Sequence, residues 1–137
     1  MDCNKMDSRK GIHLRIYKQY ILRSAPYLFW TLLSIVTVLL LIELSPSPSS
    51  WPYKDKFEHI AAFAALTTCG HLAYKQKKRW IYCGLAAYGL LMEWAQGAFT
   101  LTREASIYDW VADVVGILLF LAITRFLKKH PALTNIA

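Results

Sequence analysis

Four titratable residues in the middle and C-terminal parts of the chain are of the types that transfer protons or bind polar ligands. His59 opens one apolar segment, Glu93 lies in the next, and Asp109 and Asp113 open a third. A charged side chain at the centre of a membrane helix costs about 3 kcal/mol on insertion scales, so several together indicate a site. Carboxylates and histidine act as general acids and bases. We therefore predict Glu93, His59 and Asp109 as candidate catalytic residues.

Polar residues that flank these four suit an anionic or hydrogen-bonding ligand. Arginine binds a phosphate or carboxylate through two parallel hydrogen bonds, and the N-terminus of a helix favours an anion. We predict ligand-binding roles for Asp55, Lys56, Gln96, Arg103, Ser106 and Asp113. No cofactor follows from the sequence.

Capping is the competing interpretation for some of these residues. Asp55 with Glu58, and Ser106 with Asp109, have the spacing of capping boxes, in which side chains satisfy the first amides of a helix. Capping does not account for Glu93, which lies inside an apolar segment. For Glu93 the structural alternative is a pairing with Arg103 or His59.

A divalent cation is a further interpretation of the same residues. Glu93, Asp109, Asp113 and His59 offer three carboxylates and an imidazole, and hard oxygen ligands favour Mg²⁺, Mn²⁺ or Ca²⁺. No sequential metal motif supports this interpretation, so we assign no metal site from the sequence. The alternative stays open.

Four apolar segments must position these residues. Hydrophobic residues make up 55% of the 137 residues, more than is usual in a soluble domain. Each segment has close to the ~20 residues that cross a bilayer; they span about 26–44, 57–74, 80–99 and 108–127. We predict an all-α, four-helix transmembrane bundle over 26–127, with a basic N-terminal segment at 1–25 and a C-terminal tail at 128–137.

The basic residues predict the orientation of this bundle. The net charge is +7, and thirteen of the sixteen lysines and arginines precede the first segment, separate the second from the third, or follow the fourth. In a four-span chain all these positions face one side, which the positive-inside rule makes the cytoplasm. We expect both termini there and membrane lipids, not nucleic acid, as the partners of this basic chain.

The N-terminal segment and the cysteines give weaker predictions. Residues 1–25 are compatible with a short interfacial helix or with a frayed basic tail, and the first span is expected to be an uncleaved anchor. Cys3, Cys69 and Cys83 have no metal-binding or redox spacing, so we expect three free thiols.

The polar residues together resemble the VanZ-like family of small bacterial membrane proteins, named for a teicoplanin-resistance protein. The resemblance covers about 51–127, and its motifs are Asp55-Lys56-x-x-His59, Glu93-x-x-Gln96, Arg103, Ser106, Asp109, Asp113 and Gly116. The position that is usually Asn in the family is Asp113 here. The resemblance implies a multi-pass protein of the bacterial plasma (inner) membrane with a link to the cell envelope and glycopeptide resistance, and it implies no established reaction.

We therefore expect a membrane protein that binds a polar or phosphorylated lipid headgroup, or a lipid-linked cell-wall precursor, at the outer surface. Modification of that ligand is left open. The alternative is a non-catalytic scaffold or interaction protein whose polar cluster is structural.

The predicted topology can be tested by labelling cysteines substituted into each loop. A membrane-impermeant reagent applied from outside should reach cysteines at Ser47 and Thr102 but not at Gln76 or Thr134, because the basic loops stay in the cytoplasm. Labelling at Gln76 from outside would contradict the four-span orientation.

Overall fold

Four α-helices make up the described part of the protein. The computed structural model describes the backbone of residues 3–42, 51, 53–100 and 105–130, and the side chains in these ranges from residue 19 onward. The helices are α1 (Cys3–Leu41), α2 (Lys54–Ala73), α3 (Lys78–Phe99) and α4 (Ile107–Lys129). These ranges contain no strand, which confirms the all-α prediction for them.

Helix α1 differs most from expectation. It is a single helix of 39 residues that continues through Pro26, rather than a separate N-terminal segment followed by a span. Residues 12–25 contain neither glycine nor proline, so nothing in them ends a helix. Pro26 removes one backbone hydrogen bond, and the apolar sequence after it is long enough to continue the helix. The structure therefore has no helix boundary at residue 25, and the position of the basic segment relative to a membrane stays a prediction.

The starts of α2 and α4 also differ from the predicted capping boxes. The backbone amide of Lys54 donates to the Trp51 carbonyl (3.0 Å), so α2 begins before Asp55, with Tyr53 at the N-cap. The Glu58 carboxylate lies 3.4 Å from the Lys54 amine. Ser106 is the N-cap of α4, as its position predicts, but it makes no side-chain capping bond. Neither box forms as predicted.

Helices α2 and α4 run parallel and in close contact. Lys56 pairs with Asp109, His59 pairs with Asp113, and Gly116 lies against Ile60, so the register advances in the same direction along both helices. A Cβ added at Gly116 would lie 2.5 Å from the Ile60 carbonyl oxygen. Glycine therefore permits this approach, as the small residues of α4 predict.

The apolar interior contains several polar side chains, and the surface exposes many large apolar ones. Five polar side chains are buried among the apolar core: His59, Thr67, Glu93, Gln96 and Asp113. Large apolar side chains are exposed on all four helices; on α3 they include Leu90, Leu91 and Trp94, which is 62% exposed. Two described segments, Gln19–Leu41 and Ile107–Lys129, are long and apolar enough to cross a membrane. Helices α2 and α3 do not meet the same criterion, so the predicted four-span bundle stays a prediction.

The contact at Gly116 can be tested against a glycine that has no neighbour. Gly116→Ala should lower the free energy of unfolding by about 1–3 kcal/mol, because the added methyl group overlaps the backbone of α2. The matched control is Gly84→Ala in α3, where no atom lies within 4 Å of the added Cβ. It should be neutral or stabilising by up to about 1 kcal/mol. Equal effects on the unfolding free energy of the purified protein would contradict the close α2–α4 approach.

Candidate functional site

A buried hydrogen bond between α2 and α4 forms the centre of the site. His59 Nδ1 lies 2.8 Å from Asp113 Oδ1, and the two side chains are 3% and 1% exposed. His59 lies one turn inside α2, and Asp113 lies one turn beyond Asp109 in α4, as the sequence spacing predicts. Gly89 of α3 makes room beside the pair, since a Cβ there would lie 2.6 Å from Asp113 Oδ2.

Glu93 of α3 completes this cluster and also holds the start of α4. Its Oε2 accepts a hydrogen bond from the backbone amide of Ser106 (2.9 Å), which is the position that Asp109 would occupy in a capping box. One Glu93 oxygen therefore has a helix-capping role, although the sequence analysis excluded such a role for Glu93. The hydrogen bond crosses from one helix to another, so local spacing gives no indication of it.

Two carboxylate oxygens of this cluster lack a hydrogen-bond partner among the described residues. They are Glu93 Oε1 and Asp113 Oδ2, and both are buried. An unsatisfied buried oxygen on a carboxyl group is costly. The hydrogen bonds within the site therefore do not explain why these two oxygens are buried.

The four residues of the predicted cation group fall in two sets that share His59, and the second set also includes Asp55. One set is His59, Glu93 and Asp113, here named the buried triad; the other is His59 with Asp55 and Asp109. In each set one ligand atom per residue lies within 4.8 Å of the others. Asp109 and Asp113, which the cation interpretation places around one ion, fall in different sets. Asp109 lies at the rim, the partly exposed edge of the site at the starts of α2 and α4, where it pairs with Lys56.

The rim contains an ion pair. Lys56 Nζ lies 2.9 Å from Asp109 Oδ1, and the side chains are 40% and 13% exposed. The hydrogen bond to this carboxylate raises the pKa of the Lys56 amine, which precedes the predicted span 57–74. Lys56 and Asp109 are therefore ion-paired with each other in the structure.

Two other predicted ligand-binding residues also make internal bonds, and a third cannot be placed. Gln96 is buried and donates from Nε2 to the Leu40 carbonyl (2.8 Å), which joins α3 to the end of α1. Ser106 donates its backbone amide to Glu93. Arg103 lies outside the described residues, so its predicted contact with an anion stays a prediction.

Two grooves reach the site from opposite sides of the bundle. The α1–α2 groove, of about 270 Å³, is lined by Val36, Leu39, Leu40, Asp55, Glu58, His59, Ala62 and Phe63. The α3–α4 groove, of about 660 Å³, is lined by Ala87, Leu90, Leu91, Glu93, Trp94, Ala105, Ser106 and Ile107. The contribution of α1 was missed by sequence reasoning, because its aliphatic residues carry no feature that distinguishes a groove wall from a lipid-facing surface.

A second polar pair at the other end of the bundle was also missed. His71 Nδ1 lies 2.6 Å from the Tyr82 hydroxyl oxygen, and the His71 ring packs edge-on against Phe120. His71 is half-buried and shares no contact with the buried triad. Cys69 and Cys83 are free thiols, as expected; the side chain of Cys3 is outside the description.

The structure brings the described motif residues to one end of the bundle. They come from the starts of α2 and α4 and the end of α3, and they are Asp55, Lys56, His59, Glu93, Gln96, Ser106, Asp109 and Asp113. No known protein family, curated protein or solved structure matches the chain. The VanZ-like resemblance therefore rests on these motif residues alone.

Proposed function

We propose that the protein spans the bacterial plasma membrane four times, with both termini in the cytoplasm. The apolar exposed surface supports this proposal, because monomeric soluble proteins rarely expose large contiguous apolar patches. All four helices present such side chains outward, including Trp30, Leu39, Leu91, Trp94 and Leu118. The buried polar residues then lie where membrane proteins place functional groups, inside the bundle.

The distribution of charge supports the proposed orientation. The end of the bundle formed by the α2–α3 turn and the last turn of α4 carries Lys75, Lys77, Lys78, Arg79, Arg125, Lys128 and Lys129. The opposite end holds the candidate site, with Lys56 paired to Asp109. The basic end would face the cytoplasm, and the site would face the outer surface.

We propose that the site binds the polar headgroup of a lipid, or of a lipid-linked envelope precursor, through the α1–α2 groove. The composition of this groove is the observation that carries the proposal. Its α1 wall is aliphatic, with Val36, Leu39 and Leu40. Its α2 wall is polar at the start of the helix and apolar one turn further in, with Asp55, Glu58, His59, Ala62 and Phe63. A lipid combines an apolar chain with a polar head and so matches both walls.

The headgroup should offer hydrogen-bond donors rather than only a phosphate. Glu58 is paired with Lys54, whereas His59 uses only Nδ1 for its bond to Asp113, so its other ring nitrogen can accept a hydrogen bond from a hydroxyl or ammonium group. Lys56 is engaged by Asp109. A phosphate contact would depend on Arg103, which lies outside the described residues.

Acid–base chemistry is the reaction class that the arrangement allows. His59 lines the α1–α2 groove and is hydrogen-bonded to Asp113, so a proton taken from a ligand has an adjacent carboxylate to compensate it. Glu93 belongs to the same cluster. Asp109 is less suited to this role because Lys56 holds it. The sequence-based catalytic roles of Glu93, His59 and Asp109 remain predictions, and no specific reaction is assigned.

The VanZ-like resemblance extends the proposal to the cell envelope. A lipid-linked cell-wall precursor carries sugar hydroxyls at the outer surface, and these are donors of the class that the α1–α2 groove accepts. On this reading the protein affects glycopeptide susceptibility by binding such a precursor.

The alternative, a non-catalytic scaffold or interaction protein, is favoured by the cross-helix bonds. Glu93 binds the start of α4, Gln96 binds the end of α1, and Lys56 binds Asp109. Each of these contacts joins two helices, so the polar cluster would hold the bundle together and leave the outer loops to bind a partner.

Lipid retention tests the headgroup proposal. Purified protein should be exposed to dioleoyl lipids with a glycerol, ethanolamine or bare phosphate headgroup, and the bound lipid measured by native mass spectrometry. The first two should be retained and phosphatidic acid should not, because only the first two add a hydroxyl or ammonium donor. His59→Gln should reduce retention about tenfold, which corresponds to about 1.4 kcal/mol.

The matched control is His71→Gln, which changes a histidine at the other end of the bundle and should leave retention unchanged. Equal retention of all three lipids, or undiminished retention by folded His59→Gln protein, would contradict headgroup binding and favour the scaffold. Preferential retention of phosphatidic acid would contradict the donor requirement.

A further inference from the structure

We propose that the buried triad of His59, Glu93 and Asp113 holds one divalent transition-metal cation, of the class of Zn²⁺ or Mn²⁺. The triad offers one imidazole and two carboxylates from three different helices. The inference concerns the interior of the bundle and does not require headgroup binding, although His59 belongs both to the triad and to the α1–α2 groove.

The unpartnered oxygens are the observation that points to a ligand. Glu93 is only 4% exposed and Asp113 is fully buried, yet Glu93 Oε1 and Asp113 Oδ2 have no hydrogen-bond partner among the described residues. The other oxygen of each residue is already used, by Ser106 and by His59. Each carboxyl group therefore keeps one acceptor that the fold does not occupy.

Charge gives a physical reason for a cation at this place. Two carboxylates close together in a dry interior repel each other, and a buried charge is costly unless it is paired or coordinates a metal. Lys56, a basic side chain at the rim, is committed to Asp109. A divalent cation would neutralise Glu93 and Asp113 together, and neutral His59 would bind it as the third ligand in place of its hydrogen bond to Asp113.

The spacing of the triad is close to that of a coordinated site. One ligand atom from each residue lies within 4.8 Å of the others. Ligand bonds of about 2.0–2.2 Å place neighbouring ligand atoms about 3–3.5 Å apart. Side-chain rotations that shorten these distances by about 1–2 Å would close the site around a cation without moving the helices.

The ligand set selects the class of cation. Three protein ligands that include an imidazole, with a further position open, are typical of catalytic zinc sites, and imidazole also suits other transition metals. Ca²⁺ takes six to eight oxygen ligands, and Mg²⁺ prefers oxygen ligands and keeps several waters. The buried triad provides only two carboxylates in an enclosed place, so these two cations fit poorly.

The second set of residues around His59 is a poorer cation site. Asp55 and Asp109 are partly exposed, and the Lys56 ammonium lies 2.9 Å from Asp109 Oδ1. A cation there would be repelled by that ammonium group. The assignment is therefore to the buried triad, and His59 and Glu93 act as ligands when the cation is bound.

Metal titration of the purified full-length protein tests this assignment. After treatment with a chelator, Zn²⁺ or Mn²⁺ should bind at about one equivalent per chain, measured by elemental analysis after desalting, and should raise the melting temperature with increasing concentration. Mg²⁺ and Ca²⁺ should do neither. His59→Gln, Glu93→Gln and Asp113→Asn should each weaken binding at least tenfold.

Two matched controls separate the triad from incidental binding. His71→Gln removes a half-buried histidine, and Glu58→Gln removes an exposed carboxylate of α2; both should bind like the original chain. Lipid retention is measured on the chelator-treated original chain, without added metal, so failure of the metal site and failure of headgroup binding are distinguishable.

Several results would overturn the assignment. These are the absence of bound Zn²⁺ and Mn²⁺ in the original chain, a response to Mg²⁺ or Ca²⁺ alone, and undiminished binding by the folded triad variants. If one variant does not fold, the other two and the titration of the original chain decide the question.

Discussion

The hydrogen bond between His59 and Asp113 is the constraint on which the rest of the structure depends. It joins two residues that are 54 positions apart in sequence, and it lies in a nearly solvent-free interior. To form it, α2 and α4 must run parallel and approach closely, which requires glycine at position 116. The same approach brings Lys56 to Asp109. With Glu93 reaching Ser106 from α3, the start of α4 is fixed from two directions.

The buried polar contacts of the site and the apolar exterior of the bundle have the same physical explanation. A bundle with an apolar exterior gains little from burying apolar side chains if lipid surrounds it, so polar contacts and close packing between helices carry much of its specificity. The protein uses this arrangement with Gln96 on Leu40 and Glu93 on Ser106. The oxygens that these contacts leave free, in Glu93 and Asp113, are then available to a ligand.

The sequence predicts the helices better than it predicts the partners of their polar side chains. Segments 57–74, 80–99 and 108–127 are close to α2, α3 and α4, because apolar runs and polar boundaries are local properties. The inward placement of His59, Glu93 and Asp113 follows from helical spacing. Which groups they meet does not: Asp109 leaves its expected cap for Lys56, and Glu93 replaces it at Ser106, because contacts between helices compete with local ones. The continuation of α1 through Pro26 likewise depends on a balance, between one lost backbone hydrogen bond and the long apolar sequence that follows.

A double-mutant cycle between His59 and Asp113 tests the central claim most directly. The free energy of unfolding would be measured in detergent for the original chain, His59→Ala, Asp113→Ala and the double variant. If this hydrogen bond organises the bundle, the cycle should give a coupling energy of about 1–3 kcal/mol. Additivity within about 0.5 kcal/mol would contradict it, because residues that do not interact show no larger coupling.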